Sequence, residues 1–405
     1  MSQPIVTQPA FIPRHSSTHW PAGLELAAFS LCVAYAVYLA TSFVLGYWLL
    51  DAKGAPIATD FVGFWPAGKL VLEGHGAVYD EAMHKAAGVA ALGHDFDGAY
   101  PLYYPPFYFL LLAALPLLPY TASYAVWVAL LPLPYVFVIA RIVGHRAGIL
   151  LALAFPPLLA NAIIGQNGCL TAALFGGALL AMDRRPVLAG CLIGLLAYKP
   201  HFGILIPLAL IAAGQWRVFF SAAAVVVALI LASWLVLGTG AWEGFFNAIM
   251  SANRDTLGSG RSDWSKLQSI FALVRVSGGS LTLAWLFHGT AVAVMAAWVC
   301  AAWSGRGPFA LKAAILSVGA VICAPYAYMY DLMLLAVPAA FLLRDGRDRG
   351  FLPGDMAGLA GVCLFLLIFP FVKAPVGVGA SLLLAALIAR RWFFAGERAP
   401  APAAD

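Results

Sequence analysis

The sequence predicts an all-α polytopic membrane protein. Three observations carry this prediction: 63% of the 405 residues are hydrophobic, only 10% are charged, and apolar runs recur along the whole chain. A soluble domain carries about 25% charged residues. The 23 Lys and Arg with 18 Asp and Glu present here are too few to coat a body of this size. The mean hydropathy of +0.89 agrees. A soluble enzyme, a disordered chain and a nucleic-acid binder are thereby excluded. Cys32, Cys169, Cys191, Cys300, Cys323 and Cys363 all lie in apolar runs without a CxxC pair, so they read as packing residues.

A hydrocarbon core of about 30 Å takes roughly 20 apolar residues per helix. Residues 1–23 form an N-terminal segment with Arg14 and several Pro, His and Ser. It lacks a small-residue cleavage site, so the apolar run Leu24–Leu50 reads as a retained first span. Further apolar runs lie near 121–141, 148–164, 169–182, 186–199, 201–214, 217–237, 281–303, 309–323, 329–343, 355–373 and 375–390. With the first run they give about twelve transmembrane helices in one domain, 24–396. Several are short and interrupted by Pro or Gly, which membranes tolerate where neighbouring helices satisfy the freed backbone. The tail 397–405, rich in Ala and Pro, reads as disordered.

Lys and Arg set the orientation. With both termini in the cytoplasm, the inner loops hold Arg141 and Arg146, Arg184 and Arg185, Arg217, Arg306 and Lys312, Arg344, Arg347 and Arg349, and Arg390 and Arg391. The outer face then carries two long stretches, about 51–120 and 238–280, and short turns at 165–168, 199–200, 324–328 and 373–374. This requires that Phe107–Leu118, at about 12 residues, does not cross. The stretch 104–119 is therefore expected to lie on or dip into the outer leaflet, although an ordinary short span is the competing reading. Extracytoplasmic amphipathic helices are expected after the first span, from about Val62 and from Glu81 to about Ala91.

Candidate chemistry concentrates on the outer side. Asp60 precedes Phe61, Phe64 and Trp65, a setting that raises a carboxylate pKa and suits a general base. The competing reading is an N-cap for the following helix. Asp80 reads as a cap. Tyr104, before the paired Pro105 and Pro106, is an interfacial turn or a groove wall. Gln166 and Asn167, like Asn161 before them, either hydrogen-bond sugar hydroxyls or cap the next helix. Lys199 breaks the positive-inside trend and so suggests a donor phosphate, with His201 beside it; snorkelling to headgroups is the alternative. Arg254 and Arg261 flank Gly258-Ser259-Gly260 and suit an anionic lipid-linked substrate or lipid headgroups. Tyr330 and Asp331 open the tenth run, where Asp331 is expected to orient a sugar hydroxyl, to pair with Lys199, or to cap. No GxxxxGK[ST], HExxH or GxSxG motif and no Cys/His metal cluster occurs, so no cofactor or metal is expected.

Asp60-Phe61 with Trp65, Ala67 and Gly68, Gly74 through Tyr79-Asp80, Tyr104-Pro105-Pro106, Gly165-Gln166-Asn167, Ala189-Gly190 leading to Lys199-Pro200, and Pro325 with Tyr330-Asp331 together resemble the family 87 glycosyltransferases of the GT-C superfamily. The resemblance runs from about Asp60 to Leu343. It implies a GT-C-like fold and a polyprenol-phosphate-mannose-dependent mannosyltransferase-like activity, with Asp60 carried over as the base. Many members place His near the Tyr330-Asp331 positions, and this chain does not. The expected function is transfer of a mannose-like hexose or a pentose from a polyprenyl-phosphate donor to a lipid-linked or envelope glycan acceptor, with inversion, on the outer face of the inner or plasma membrane. The expected partners are membrane lipids, that donor and a glycolipid or glycan acceptor, without nucleic acid. A lipid or solute transporter is the alternative.

Overall fold

The computed structural model describes residues 20–74, 78–98, 100, 102–258 and 263–397. The N-terminal segment before residue 20, the tip residues Ser259, Gly260 and Arg261, and the tail from 398 lie outside the described residues.

Among those described, the chain is helical from end to end. Helix α1 (Ala22–Val44) leads to the stretch that the sequence assigns to the outer face, which folds into α2 (Phe61–Leu72), α3 (Glu81–Leu92) and α4 (Pro106–Leu112). Next come α5 (Tyr120–Leu130), α6 (Pro132–Val143), α7 (Ala147–Ala154), α8 (Pro157–Ile164) and α9 (Gly168–Ala181). The middle of the chain is α10 (Pro186–Leu195), α11 (Ile206–Ala212), α12 (Trp216–Ala252), α13 (Ile270–Val276) and α14 (Leu281–Ser304). The last elements are α15 (Phe309–Ile322), a 3₁₀ segment Met329–Leu335, α16 (Ala336–Arg349), α17 (Asp355–Leu367) and α18 (Val376–Glu397).

Each of the twelve apolar runs coincides with helix. Among the described residues five helices are long and apolar enough to cross a membrane: Gly23–Val44, Tyr120–Val143, Trp216–Ala252, Leu281–Ser304 and Val376–Phe394. The pair α7 and α8, bent by 58°, gives a sixth if it is one broken span. The other runs form helices of 10–17 residues, so length and composition support fewer full crossings than the sequence suggested. The reason lies in packing. Most residues of α9 and α15 are buried and none is exposed, and a helix apolar all round is one enclosed by its neighbours or by lipid. By contrast, α1 buries almost none of its apolar surface in the protein, as a lipid-facing helix does. Helices α10 and α12 approach closely at Gly190 and Gly194, where a Cβ would strike the backbone of Val218 and Ala222 and the side chain of Val225. That is the small-xxx-small contact of membrane helices.

The long helix α12 breaks at Gly238, whose φ of 75° leaves the helical region. This is where the sequence ends the seventh run. Beyond it the chain stays helical to Ala252 and packs on the first outer stretch, with Phe245 against Tyr79 (6.2 Å between rings) and Trp242 against Phe107 (6.3 Å).

Segments assigned to one membrane side meet one another. At one end Trp20 stacks on His145 (4.3 Å), Arg347 donates to the Val143 carbonyl (2.7 Å), and Arg391 pairs with Asp345 (2.7 Å). At the other end Asp60 N–H donates to the Ile164 carbonyl (3.1 Å), Asn161 donates to the Tyr330 carbonyl (3.0 Å), and Gly377 N–H donates to Gln268 (2.8 Å).

Two outer helices differ from expectation. Helix α3 buries His84, Ala87 and Gly88 on one side, as an amphipathic helix does. Helix α2 instead buries Phe61, Val62, Phe64, Pro66, Ala67 and Leu70, because small residues admit neighbours on several sides. At Gly68 an added Cβ would collide with the Leu112 carbonyl. Helix α4 is likewise largely buried, with Phe109 and Leu112 fully so while Leu111 stays 49% exposed, and at 7 residues it is too short to cross a bilayer.

Candidate active site

The site forms where the loop before α2, the α8–α9 turn, the α10–α11 turn and the 3₁₀ segment at 329–335 converge. The α8–α9 turn is the keystone. Gly165 closes α8 with φ +71°, a left-handed cap that glycine adopts without strain. A Cβ there would strike Phe61, so glycine lets the Asp60-Phe61 loop lie against the turn. The helix-end carbonyls, which α8 cannot satisfy itself, accept hydrogen bonds from α5. Tyr124 donates to Ala162 and Ile163 (2.7 and 2.9 Å), and Trp127 to Gly165 (2.9 Å). Asn161 ties the turn to the fourth strand of chain: it accepts from Gly168 N–H (2.7 Å) and donates to the Pro157 carbonyl (2.9 Å) as well as to Tyr330. At Gly168 a Cβ would collide with the Tyr330 carbonyl.

Asp60 occupies the N-cap position of α2, yet its carboxylate makes no capping hydrogen bond. The bland reading of this residue therefore does not hold, whereas Asp80 does cap, accepting from Met83 N–H (2.9 Å). The Asp60 carboxylate is partly buried and points to the cluster. Burial pushes its pKa up, to about 7; Lys199 pulls it down, Asp331 pushes it up, and a hydrogen bond from Gln166 pulls it down. A carboxyl that gains its charge near neutral pH is suited to proton transfer.

Lys199 and Asp331, each 3% exposed, form an ion pair at 2.6 Å. The second Asp331 oxygen accepts from Tyr328 N–H (3.0 Å), so Asp331 both pairs with Lys199 and closes the first turn of its 3₁₀ segment. The ammonium lies against two rings, 5.1 Å from the centre of Tyr330 and 5.9 Å from that of Tyr104. A buried charge left unpaired is costly; here it has an acid and two π faces.

The amides complete the wall. Gln166 Oε1 accepts from Asn167 N–H (2.7 Å) and from the Tyr104 hydroxyl (3.2 Å). Asn167 Nδ2 donates to Tyr104 (3.1 Å) and Tyr108 (2.7 Å), and its Oδ1 is buried without a partner among the described residues. Neither amide side chain caps α9. Tyr198 stacks on Tyr108 (4.9 Å, 15°) and shares a hydrogen bond with Thr171 (2.6 Å).

Of the residues singled out by sequence, Asp60, Tyr104, Gln166, Asn167, Lys199, Tyr330 and Asp331 come together. His201 follows Lys199 in the same turn, its Nε2 buried and unpartnered. Arg254 is exposed on the π-helical turn Asn253–Gly258, where the adjacent Asn253 accepts from the Tyr326 hydroxyl. Arg261 lies outside the described residues. Tyr108, Tyr198 and Thr171 escaped the sequence reading. The available signal was a hydroxyl inside an apolar run, which must find a partner when buried.

The sequence model described as glycosyltransferase family 87 matches residues 102–325, more than half of the chain. The chain belongs to glycosyltransferase family 87. It is thus an enzyme, a membrane-embedded glycosyltransferase, and the transporter reading gives way. The family match contains Tyr104, Gln166, Asn167, Lys199 and His201 but begins after Asp60 and ends before Tyr330; the fold, not the match, joins these last residues to the rest. Neither a curated protein nor a solved structure matches the chain.

Proposed function

We propose that this family 87 glycosyltransferase moves a single sugar, a mannose-like hexose or a pentose, from a polyprenyl-phosphate donor to a lipid-linked or envelope glycan, on the extracytoplasmic face of the cell membrane and with both termini inside. The observation that carries the reading is the Asp60 carboxylate, uncommitted to its helix and poised near neutrality beside the Lys199–Asp331 pair. Asp60 takes the proton of the acceptor hydroxyl. The oxygen lone pair attacks the anomeric carbon from the face opposite the phosphate. The carbon–oxygen bond to phosphate breaks, its electron pair leaves on polyprenyl phosphate, and the configuration inverts. The proton then passes from Asp60 to water.

Lys199 has three donors and gives one to Asp331. The remaining N–H groups hold the donor phosphate and stabilise the charge that builds on it, with His201 beside them and Arg254 and Arg261 meeting the anionic donor at the rim. Tyr104, Asn167, Tyr330 and Asp331 contact sugar or acceptor hydroxyls; the unpartnered Asn167 Oδ1 favours this. Membrane lipids bound the site. In the full topology, the short helices cross alongside the five long ones, their ends shielded by neighbours.

The test is sugar transfer by the purified protein in lipid vesicles from a radiolabelled polyprenyl-phosphate hexose. Wild type is expected to transfer with inversion, with kcat/KM falling as pH drops through about 7, because the base form of Asp60 is populated above that value. Transfer only from a nucleotide sugar would overturn the donor class.

A further inference from the structure

We propose that Gln268 is a positioning residue for the Lys199–Asp331 pair: it holds the peptide unit between Ala327 and Tyr328, whose N–H fixes the Asp331 carboxylate opposite the ammonium. Its effect on turnover rests on the reading above, in which that pair meets the donor phosphate.

This peptide unit is bonded on both edges. Its N–H, from Tyr328, donates to Asp331 Oδ2 (3.0 Å). Its carbonyl, from Ala327, accepts from Gln268 N–H (2.6 Å). Asp331 is left with Oδ1 for the Lys199 ammonium (2.6 Å). Hydrogen bonds on the two edges of one peptide polarise and strengthen each other, and a backbone N–H on a carboxylate is charge-assisted. The turn 324–328 lies between helices, so no helical ladder orients this peptide. The second outer stretch does so instead, through Gln268 and through the antiparallel pairing of Leu267 with Tyr328.

Gln268 is 2% exposed, and its carboxamide is committed to backbone on both sides. Gly377 N–H, which only donates, faces Oε1 at 2.8 Å. Nε2 donates to the carbonyls of Ser265 (3.3 Å) and Lys266 (3.1 Å), which only accept. Partners of fixed type leave the amide one orientation. The Nε2 bonds brace the 3₁₀ turn Trp264–Lys266, which delivers Gln268 N–H to the Ala327 carbonyl. The Oε1 bond ties the same residue to the first turn of α18. There an added Cβ at Gly377 would strike Leu332, the residue after Asp331, so glycine lets α18 close on the segment that carries the acid. Gln268 therefore joins three segments distant in sequence. Its bonds end on backbone, so it acts on the pair through the 327–328 peptide rather than by touching the donor.

Gln268→Met keeps the length and volume of the side chain and removes its carboxamide bonds. Donor KM for the radiolabelled polyprenyl-phosphate hexose in vesicles is expected to rise about tenfold, the scale of one hydrogen bond to a charged group, with kcat changing less. Ser269→Ala, one residue on, deletes the cap of α13, where Ser269 accepts from Ala272 N–H (3.2 Å). It is expected to lower the unfolding temperature and leave donor KM unchanged. In Lys199→Met/Asp331→Asn the pair is gone, and there Gln268→Met is expected to add nothing to donor KM. The infrared carboxylate bands of Asp331, isolated by subtracting the spectrum of that double variant, are expected to move in Gln268→Met and stay in Ser269→Ala. A donor KM raised by the same factor with and without the pair would make Gln268 a general brace and overturn the proposal; unmoved Asp331 bands would overturn it too. Moved bands with an unchanged donor KM would support the positioning role and take the pair out of donor binding, so the function proposed above would fall alone. If Gln268→Met does not fold, amide hydrogen exchange at Gln268 in the double variant decides, because coupling is reciprocal. Exchange faster than in wild type supports the link, and unchanged exchange overturns it.

Discussion

Two clusters of buried charge sit at opposite ends of this molecule, and they are built differently. At the end assigned to the cytoplasm, Asp345 and Asp355 meet Arg349, Arg390 and Arg391. Arg391 spends its whole guanidinium there: Nη1 on Asp345 (2.7 Å), Nε on Asp355 (3.1 Å), and Nη2 on the Gly350 carbonyl (3.1 Å) and on Asp355. The Asp355 carboxylate also accepts from Leu352 N–H (2.8 Å) in the turn that precedes its helix. The acids are saturated, and the surplus positive charge, on Arg349 and Arg390, reaches solvent. At the other end Lys199 pairs with Asp331, and Asp60 feels that ammonium only at longer range. The surplus there is a carboxylate held partly out of water, whose proton affinity is correspondingly raised. A saturated network braces helix ends. An unsaturated one leaves a group able to exchange protons.

Substitutions sharpen that contrast. The largest effect is expected for Asp60→Asn: sugar transfer should drop by at least about 10²-fold, the contribution of a general base, while thermal unfolding in detergent stays at or above the wild-type value above pH 7, since a costly buried charge is gone. Near-normal transfer would erase the distinction between the clusters. Arg391→Met should do the reverse. It leaves two buried acids without their shared partner, a loss of about 3–5 kcal/mol in unfolding free energy, yet the folded fraction should keep the wild-type pH–rate profile. A shifted profile would mean that the two ends are coupled.

The Lys199–Asp331 pair should behave in part like each cluster. Lys199→Met strands Asp331 and should lower the unfolding temperature as well as raise donor KM. Adding Asp331→Asn should restore the unfolding temperature but not the donor KM. Recovery of both would make the pair purely structural. The smallest effect is expected for Arg254→Ala: exposed charges contribute within about 0.5 kcal/mol, so donor KM should change by no more than about twofold. A larger loss would make Arg254 a direct phosphate ligand rather than a charge at the rim.

Much of this was legible in the sequence. The low charge content gave the membrane class, and the Lys and Arg distribution sorted the loops into two sets that do meet within themselves. The end of the seventh apolar run, just before Gly238, and the Asp80 cap followed from local rules. The site residues were legible as types, because an acid beside aromatics, or a lone Lys in an outer turn, is conspicuous against an apolar background. Span count was not, since a short apolar run in a shielded core helix looks the same as one in contact with lipid. Nor was the burial of α2 and α4.

The amino-acid order alone therefore determined that this chain is helical, belongs in a membrane and carries its ionisable groups mainly in the segments between its apolar runs. Only the tertiary structure decided that the Asp60 side chain leaves its helix uncapped, that Lys199 is already joined to an acid 132 positions away, and that the Gln166 carboxamide oxygen is spent on Asn167 N–H and the Tyr104 hydroxyl. The physical reason is that hydropathy and capping act over one or two turns of chain. The partner of a buried charge is selected instead by which turns the packed helices bring together.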